Sequence, residues 1–529
     1  MIHPGNRAAD IWPLVVPYTR GRGLDLGCGP FKPFPHMIGL DNMSGLPDDL
    51  EMAPGVLVCD CRQLPMWADG CMDYVFSSFL IDRLDDIVPV LREWWRVIRP
   101  NGHLVLYMPH KVADDVKAAM ATMKSGWTIV DDGPGTRHAF LVYQKRNDGQ
   151  QRVEPWRRTA KSLLIIRYGA IGDMIMMQTV LPGLKKEGWH ITVNCYDVGK
   201  EILQHHECVD GFLLQDRDQV PNPLLNQYWT ALASRYDRVI NLSEVVEGSL
   251  LPTFHSPLFR FSKAARHRLC DVNYLEMHHI MAGLPLGDYD TRVRLTDDEQ
   301  RHAAKVRAQL GGRAPLIVWS LGGSSTHKTW PWSHVLACYL ADHSTCSVVF
   351  VGGRDERQLE IMIAHGYLDQ HGYDQAKRTA IEQKGGLHAL AKACQEANPL
   401  KHTRFFFRCG DLSVRESIAL ARNADLVFGP ETGILNAVGL EAGVGKVIML
   451  SHSTEENLTK YWKDTTVLTG DVPCYPCHQM HFQPTISCPN NAATSAAECA
   501  SEIAPDRAMK AIAERLGLAN APRGTVMAA

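Results

Sequence analysis

Leu24-Asp-Leu-Gly-Cys-Gly-Pro30 and Leu164-Ile-Ile-Arg-Tyr-Gly-Ala-Ile-Gly-Asp173 are two apolar strands that each run straight into a glycine-bearing turn. A glycine there lets the backbone approach a ligand that any Cβ would exclude. Each turn is followed by a full set of further strand-like and helix-like segments. Two ligand sites and two reactions are therefore expected.

Around the first turn, strand-like runs are read at Gly23–Leu26, Met37–Leu40, Val56–Val58, Tyr74–Ser77, His103–Tyr107, Trp127–Val130 and Ala139–Gln144. Ile87, Val90, Leu91, Trp94 and Ile98 recur at helical spacing between them. The last two strands are joined by Asp131-Asp-Gly-Pro-Gly135 with no helix, which predicts a closing hairpin on a mostly parallel sheet. Polar and basic residues then follow to Lys161, read as a solvated connector, with contact to an anionic inner-membrane surface as the second reading.

Alternation restarts at the second turn. Leu163–Ile166, His190–Cys195, Gly211–Leu214 and Arg238–Leu242 predict the strands of one half, with a helix from Asp173 to about Glu187. Pro315–Leu321, Ser347–Val351, Arg404–Arg408, Leu426–Phe428 and Lys446–Leu450 predict those of another. The helix-like stretch near 364–402 carries no motif and is read as an insertion.

Bulk properties bound the answer loosely. A chain of 529 residues with 45% hydrophobic and 21% charged residues is expected to fold into two to four globular domains. A formal charge of −3 gives no reason to expect nucleic-acid binding. Met1-Ile-His-Pro-Gly-Asn-Arg7 has no apolar core, so no signal peptide is expected, and no apolar run approaches a membrane span. With eleven cysteines scattered between Cys28 and Cys409, a reducing cytoplasm is expected, peripheral at the inner membrane at most.

In the first region, Asp25 lies on the strand and Gly27 and Gly29 form the turn beneath a small ligand. Asp41 closes the next strand, where a carboxylate can accept both hydroxyls of a ribose, and Asp60 ends the third, suited to an adenine amino group. This region resembles class I S-adenosylmethionine-dependent methyltransferases over about residues 20–146. Leu24–Pro30 matches their first motif, and Trp95-Arg-Val-Ile-Arg-Pro-Asn-Gly-His-Leu-Val-Leu106 their helix-to-strand stretch. The resemblance implies S-adenosyl-L-methionine as cofactor, held by Asp25, Gly27, Gly29, Asp41 and Asp60. Pro30, Pro33 and Pro35 before Asp41 leave the usual first helix very short or missing, and Ile81-Asp82-Arg83 stands where many relatives carry a histidine. Base-methylation motifs are absent, and no general base can be named.

In the second region, Asp173 opens a helix, as a general base or simply as a cap. Trp319-Ser-Leu-Gly-Gly-Ser-Ser-Thr-His-Lys-Thr-Trp-Pro331 offers N–H groups, hydroxyls and an ammonium of the kind a diphosphate needs. Asp425-Leu-Val-Phe-Gly-Pro-Glu-Thr-Gly-Ile-Leu-Asn436 ends a strand and opens another anion-accepting helix. With Pro473-Cys-Tyr-Pro-Cys-His478, these segments resemble glycosyltransferase family 9, the heptosyltransferase-like enzymes of lipopolysaccharide core biosynthesis, over about residues 161–515.

The resemblance implies a GT-B fold and inverting, metal-independent transfer from a nucleotide-diphosphate sugar to a surface-glycan or lipid-linked acceptor. It makes Asp173 the base. It assigns Gly169, Gly172, Ser324, Ser325, Lys328, Glu431, Thr432, Gly433 and Asn436 to the nucleotide sugar. The family usually reads Asp-Thr-Gly with a histidine three residues on, whereas this chain has Glu431-Thr432-Gly433 and Asn436. Lys328 would then carry more of the leaving-group charge, and ADP-heptose is not assumed. Cys474-x-x-Cys477-His478-x-x-His481, with Cys488 beyond, has zinc-type ligands. Cys474 and Cys477 are weak candidates, and no metal is expected.

The expected fold class is α/β, an N-terminal Rossmann-like methyltransferase fold followed by a GT-B glycosyltransferase of two Rossmann-like domains. Expected boundaries are 1–146 for the methyltransferase-like domain, 147–160 for a linker, 161–305 for the acceptor domain and 306–529 for the nucleotide-sugar domain. The leading functional reading is a bifunctional glycosyltransferase and methyltransferase. The others are a glycosyltransferase with a non-catalytic methyltransferase-like binding module, and a two-domain enzyme hypermodifying a nucleic acid or protein.

Overall fold

The computed structural model of the protein describes residues 8, 11–30, 32, 34–42, 54–123, 126–133, 136–146, 161–244, 260–310, 314–323, 325–397, 404–478 and 488–518. The stretch 147–160, Ser324 and His481 lie outside them. The chain divides into two compact units that do not follow sequence order. One joins Met1–Leu164, Trp189–Asp197 and Gly211–Val239; the other joins Ile165–Gly188, Val198–Asp210 and Ile240–Ala529.

The first unit is built on a seven-stranded sheet of β1 (Gly23–Leu26), β2 (Ile38–Asp41), β3 (Val56–Val58), β4 (Met72–Ser78), β5 (Ile98–Met108), β6 (Trp127–Asp131) and β7 (Ala139–Lys145), in the order β3-β2-β1-β4-β5-β7-β6. The first five pair in parallel, and β7 runs antiparallel to both β5 and β6. The predicted closing hairpin is present, with its second strand inside the sheet and its first at the edge. Helix Ile87–Val97 is started by Asp86, whose side chain accepts the Val88 N–H at 3.2 Å. Its apolar face buries Leu91 and Trp94, and the Trp94 indole donates to Cys61 O at 2.7 Å, so burial leaves no unmet donor. The helix runs directly into β5 at Ile98, and Asn101-Gly102 lie within that strand. A Cβ on Gly102 would lie 2.5 Å from Asp73 O, so only glycine fits there. Among the described residues between β1 and β2 there is no helix, in keeping with the prolines of that segment.

The same unit includes most of a four-stranded sheet of β8 (Ser162–Ile166), β9 (His190–Cys195), β10 (Gly211–Leu214) and β11 (Arg238–Asn241), in the order β10-β9-β8-β11. Within this unit the N-terminal segment ties the seven-stranded sheet to the elements around β10. Trp12 stacks on Tyr228 with ring centroids 6.3 Å apart, and Gln219 Nε2 donates to Val16 O at 2.6 Å. The carboxylate of Asp131, at the end of β6 and fully buried, receives four donors, one of them the Gly133 N–H at 2.9 Å. Tyr18 Oη lies at 2.7 Å and the two terminal nitrogens of Arg235 at 2.8 and 3.0 Å. Burial and the Asp131 charge hold the Tyr18 phenol well above its ordinary pKa, so it stays a donor.

The second unit is built on six parallel strands, β12 (Leu316–Ser320), β13 (Ser347–Val351), β14 (Arg404–Phe407), β15 (Leu426–Pro430), β16 (Gly445–Leu450) and β17 (Thr465–Thr469), in the order β14-β13-β12-β15-β16-β17. The strand order reverses between β12 and β15, and ligands of such sheets bind beyond the strand ends at that point. The stretch read as an insertion is the β13-to-β14 crossover, made of helices Arg357–Gln370 and Gln375–Ala397. Tyr367, Leu368, Leu390 and Cys394 from these helices fill the same core as Trp319 and Phe350. The helix predicted from Asp173 is broken into Ile171–Met177, a tight turn at Gln178–Val180, and Leu181–Lys186, because Pro182 cannot continue a helix. Among the described residues no helix is long and apolar enough to cross a membrane.

Candidate active sites

At the first turn, Gly27 and Gly29 both take left-handed backbone conformations, with φ of +74° and +61°. A Cβ on Gly27 would meet Leu80 at 2.8 Å, whereas nothing lies within 4 Å of one on Gly29. Gly29 therefore presents the open side of the turn. Asp41 Oδ2 accepts the Gly29 N–H at 2.8 Å, which couples the end of β2 to the turn. Asp25 is buried, and its Oδ2 has no hydrogen-bond partner among the described residues. Burial pushes its pKa up to about 8; Lys32 opposes the shift and Asp41 adds to it. A carboxyl of this kind is protonated at neutral pH and takes up charge readily when a cation arrives. Asp60 is paired within its own loop. Its carboxylate is held by Arg62, Oδ2 to Nη2 at 2.6 Å, which lowers its pKa.

At the second turn the predicted glycines serve the architecture of Asp173. A Cβ on Gly169 would lie 2.4 Å from Asp173 Oδ2. One on Gly172 would lie 2.8 Å from Asn436 Nδ2, and one on Gly433 would lie 2.4 Å from Ile171 Cγ2. The turn after β8 and the loop after β15 thus meet without side chains between them. Asp173 is held at both oxygens, with Oδ1 2.5 Å from Arg167 Nη2 and Oδ2 accepting the Ala170 N–H at 2.8 Å. Arg167 is itself buried and donates to Leu242 O at 2.6 Å. The Asp173 side chain remains 32% exposed, so an acceptor hydroxyl can reach it.

Ser325 opens the short turn Thr326–Lys328, whose last N–H bonds back to Ser325 O at 2.9 Å. The Lys328 stem lies over Gly323, where a Cβ would come 2.8 Å from its Cδ. The Thr432 hydroxyl is buried and unpartnered among the described residues. Asn436 is occupied, its Nδ2 donating to Thr432 O at 3.0 Å. The helix it belongs to, Gly433–Val438, has only six residues, so its dipole is a smaller resource than the sequence suggested.

Glu431 differs most from expectation. Its oxygens are turned onto Ser451-His-Ser453 after β16. Oε1 accepts the backbone N–H groups of Ser451, His452 and Ser453 at 2.7, 3.2 and 3.4 Å. Oε2 accepts Ser453 Oγ at 3.1 Å and lies 2.6 Å from His452 Nδ1. Burial alone would push this carboxyl up; His452 and then Lys328 outweigh it and hold the pKa well below the carboxylate range. Its carboxylate shapes a loop, where the resemblance had it hold the donor directly. His452 is the residue the sequence reading missed.

Cys474, Cys477, Cys488 and Cys499 are electrostatic neighbours, and Cys499 is pushed up to about 12 by burial first and then by the other three. Among the described residues the metal-type cluster with ligand atoms within 4.8 Å of one another is instead His206, Glu207 and Cys208. There Arg294 already neutralises Glu207 at 3.1 Å, so the cluster reads as an ion-pair network.

Residues 24–106 match a family model described as a methyltransferase domain. The chain thus contains a transferase domain at its N-terminus. Over much of the remainder the chain is similar to a glycosyl transferase family 9 protein from Veillonella parvula, at 17% identity and TM-score 0.45, covering 67% of this chain and 97% of that one. It is similar also to E. coli ADP-heptose LPS heptosyltransferase II, at 14% identity and TM-score 0.41, over 67% and 98% of the two chains. A third similar structure is the iron-containing dodecameric glycosyltransferase TibC from enterotoxigenic E. coli, at 12% identity and TM-score 0.39, over 72% and 82%. No curated protein matches the chain.

Proposed function

We propose that this chain is a bifunctional cytoplasmic enzyme. It transfers a sugar, with inversion and without a metal ion, from a nucleotide diphosphate to a surface-glycan or lipid-linked acceptor. It also methylates a product of the same kind from S-adenosyl-L-methionine. The carrying observation for transfer is the meeting of two loops. The turn that holds the Asp173 carboxylate packs on the Glu431-Thr432-Gly433 loop, with Gly172 and Gly433 giving clearance. Transfer needs a base on the acceptor and cationic stabilisation of the departing diphosphate. Asp173 offers the first, and Lys328 beside Glu431 offers the second.

A screen of nucleotide sugars for protection against thermal unfolding tests this reading, because a ligand bound only to the folded state raises Tm. At least one nucleotide sugar is expected to raise Tm equally with and without chelator. No shift with any donor overturns the transfer reading; a shift abolished by chelator overturns its metal independence. The methylation reading has its own test. Calorimetric titration with S-adenosyl-L-methionine is expected to show one site. Asp41→Ala, which frees the Gly29 turn, is expected to weaken binding about tenfold or more. A wild-type chain without binding leaves the N-terminal part a scaffold.

A further inference from the structure

We infer that Cys474, Cys477, Cys488 and Cys499 together hold one thiophilic metal ion, zinc or iron, in a closed tetrahedral site. Their spacing, C-x2-C-x10-C-x10-C, leaves the fold three short segments to bring together. The first two cysteines are a pair by sequence. Two intervening residues put both sulfurs of Cys474-Tyr-Pro-Cys477 within reach of one ion. The last two are a pair by register. Asn490 and Ala497 form an antiparallel bridge, with the Asn491 N–H donating to Ala496 O at 2.8 Å and the Glu498 N–H to Pro489 O at 3.0 Å. Two residues further along that register, Cys488 stands opposite Cys499, in the first turn of helix Glu498–Ser501.

The two pairs meet. Cys499 senses the charge of Cys474, Cys488 and Cys477, and Cys488 that of Cys474, so the four sulfurs are gathered at one place. None of the four is in a disulfide. Cys474 is exposed and Cys499 buried, so an ion has a way in from solvent. His478, beside Cys477, has Nε2 3.0 Å from Asp271 Oδ1 and donates its backbone N–H to His452 O at 2.9 Å, so it anchors the loop. Four thiolates select zinc or iron over the hard cations that carboxylates and water hold. The His206, Glu207 and Cys208 group offers a single thiol and a carboxylate already paired with Arg294, and does not compete.

The place of the site gives the ion its role. Cys488 Sγ lies 3.9 Å from His327 Nδ1, beside Lys328. Just past Cys499, the carbonyls of Ser501 and Ile503 accept the indole N–H groups of Trp332 and Trp330 at 2.8 and 2.9 Å. The ion therefore clasps the segments after β17 against the loop after β12, with no coordination position open to a substrate. It is a structural ion, and the transfer chemistry proposed above needs nothing from it. The inference stands apart from that reading, since metal content and protection by a donor are separate measurements.

The full chain, expressed with zinc and iron both supplied and purified without chelator, is expected to carry about one of these ions per chain by elemental analysis. Iron shows as visible thiolate-to-metal absorption. Zinc is colourless, and its exchange for cobalt gives the absorption of a tetrahedral thiolate centre. Cys488→Ser and Cys499→Ser are each expected to lose most of the ion and to unfold at a lower Tm, whereas Cys208→Ser keeps it. If Cys499→Ser does not fold, Cys474→Ser, at an exposed position, answers in its place. X-ray absorption of the loaded wild type is expected to show sulfur neighbours alone. A wild-type chain that carries neither ion and takes up no cobalt overturns the inference. So does an ion retained by the Cys488, Cys499 or Cys474 variants, its loss from Cys208→Ser alone, or a disulfide between Cys488 and Cys499.

Discussion

Asp173→Asn is expected to lower kcat for sugar transfer by about 10²- to 10⁴-fold, the usual contribution of a positioned base, while the donor nucleotide binds as before. The substitution separates the two roles that the carboxylate can play. Asp173 closes the first turn of its helix by accepting the Ala170 N–H, and an amide oxygen accepts the same bond, so a purely structural role survives in Asn. Base chemistry does not survive, because an amide cannot take the acceptor's proton. Arg167 complicates the picture in an instructive way. Its guanidinium lies 2.5 Å from Oδ1, so an acceptor hydroxyl has to share that carboxylate with Arg167. Single-turnover transfer with the donor found in the screen, beside calorimetry of the nucleotide alone, checks the claim. Undiminished turnover would reduce Asp173 to a brace for the Gly169 turn.

Arg235→Ala is expected to produce the largest loss of stability in the first unit, about 3–5 kcal/mol. Asp131 is fully buried, and Arg235 supplies two of its four donors and its only cationic partner among the described residues. Truncating the arginine leaves a buried charge without its cation, with only the Tyr18 hydroxyl and the Gly133 N–H left to it. Tyr18→Phe removes a single hydrogen bond and is expected to cost about 1 kcal/mol. Denaturant titration of both variants measures the contrast. If the two cost the same, or Arg235→Ala leaves the midpoint unchanged, Asp131 is satisfied in some other way.

Much of the fold was legible because buried parallel strands are written as short apolar runs punctuated by glycine, as at Leu24–Gly27 and Leu316–Ser320. β17 was not, since Thr465-Thr-Val-Leu-Thr469 has two apolar residues and sits at a sheet edge. The crossover near 364–402 passed for an insertion because Tyr367 and Leu390 reach the core from two helices broken at Gly385-Gly386. At the sites, the sequence pointed to loops correctly but could not say which side chains are spent internally. Asp60 turns to Arg62, Asn436 to Thr432, and Glu431 to the loop after β16. Each is a carboxylate or amide whose nearest donor is a matter of loop geometry. His452 lies in Ser451-His-Ser-Thr454 directly after a buried strand, and polar residues in that position were the signal available.

The Asp131 anchorage also bears on where the chain can be cut. Arg235, Gln219 and Tyr228 follow the seven-stranded sheet in sequence, yet their partners are Asp131, at the end of β6, and Val16 and Trp12, ahead of β1. A chain lacking the first 146 residues would keep a guanidinium without its carboxylate and an aromatic ring without its cover. Deleting the N-terminal part therefore removes partners that the rest of the first unit is built around.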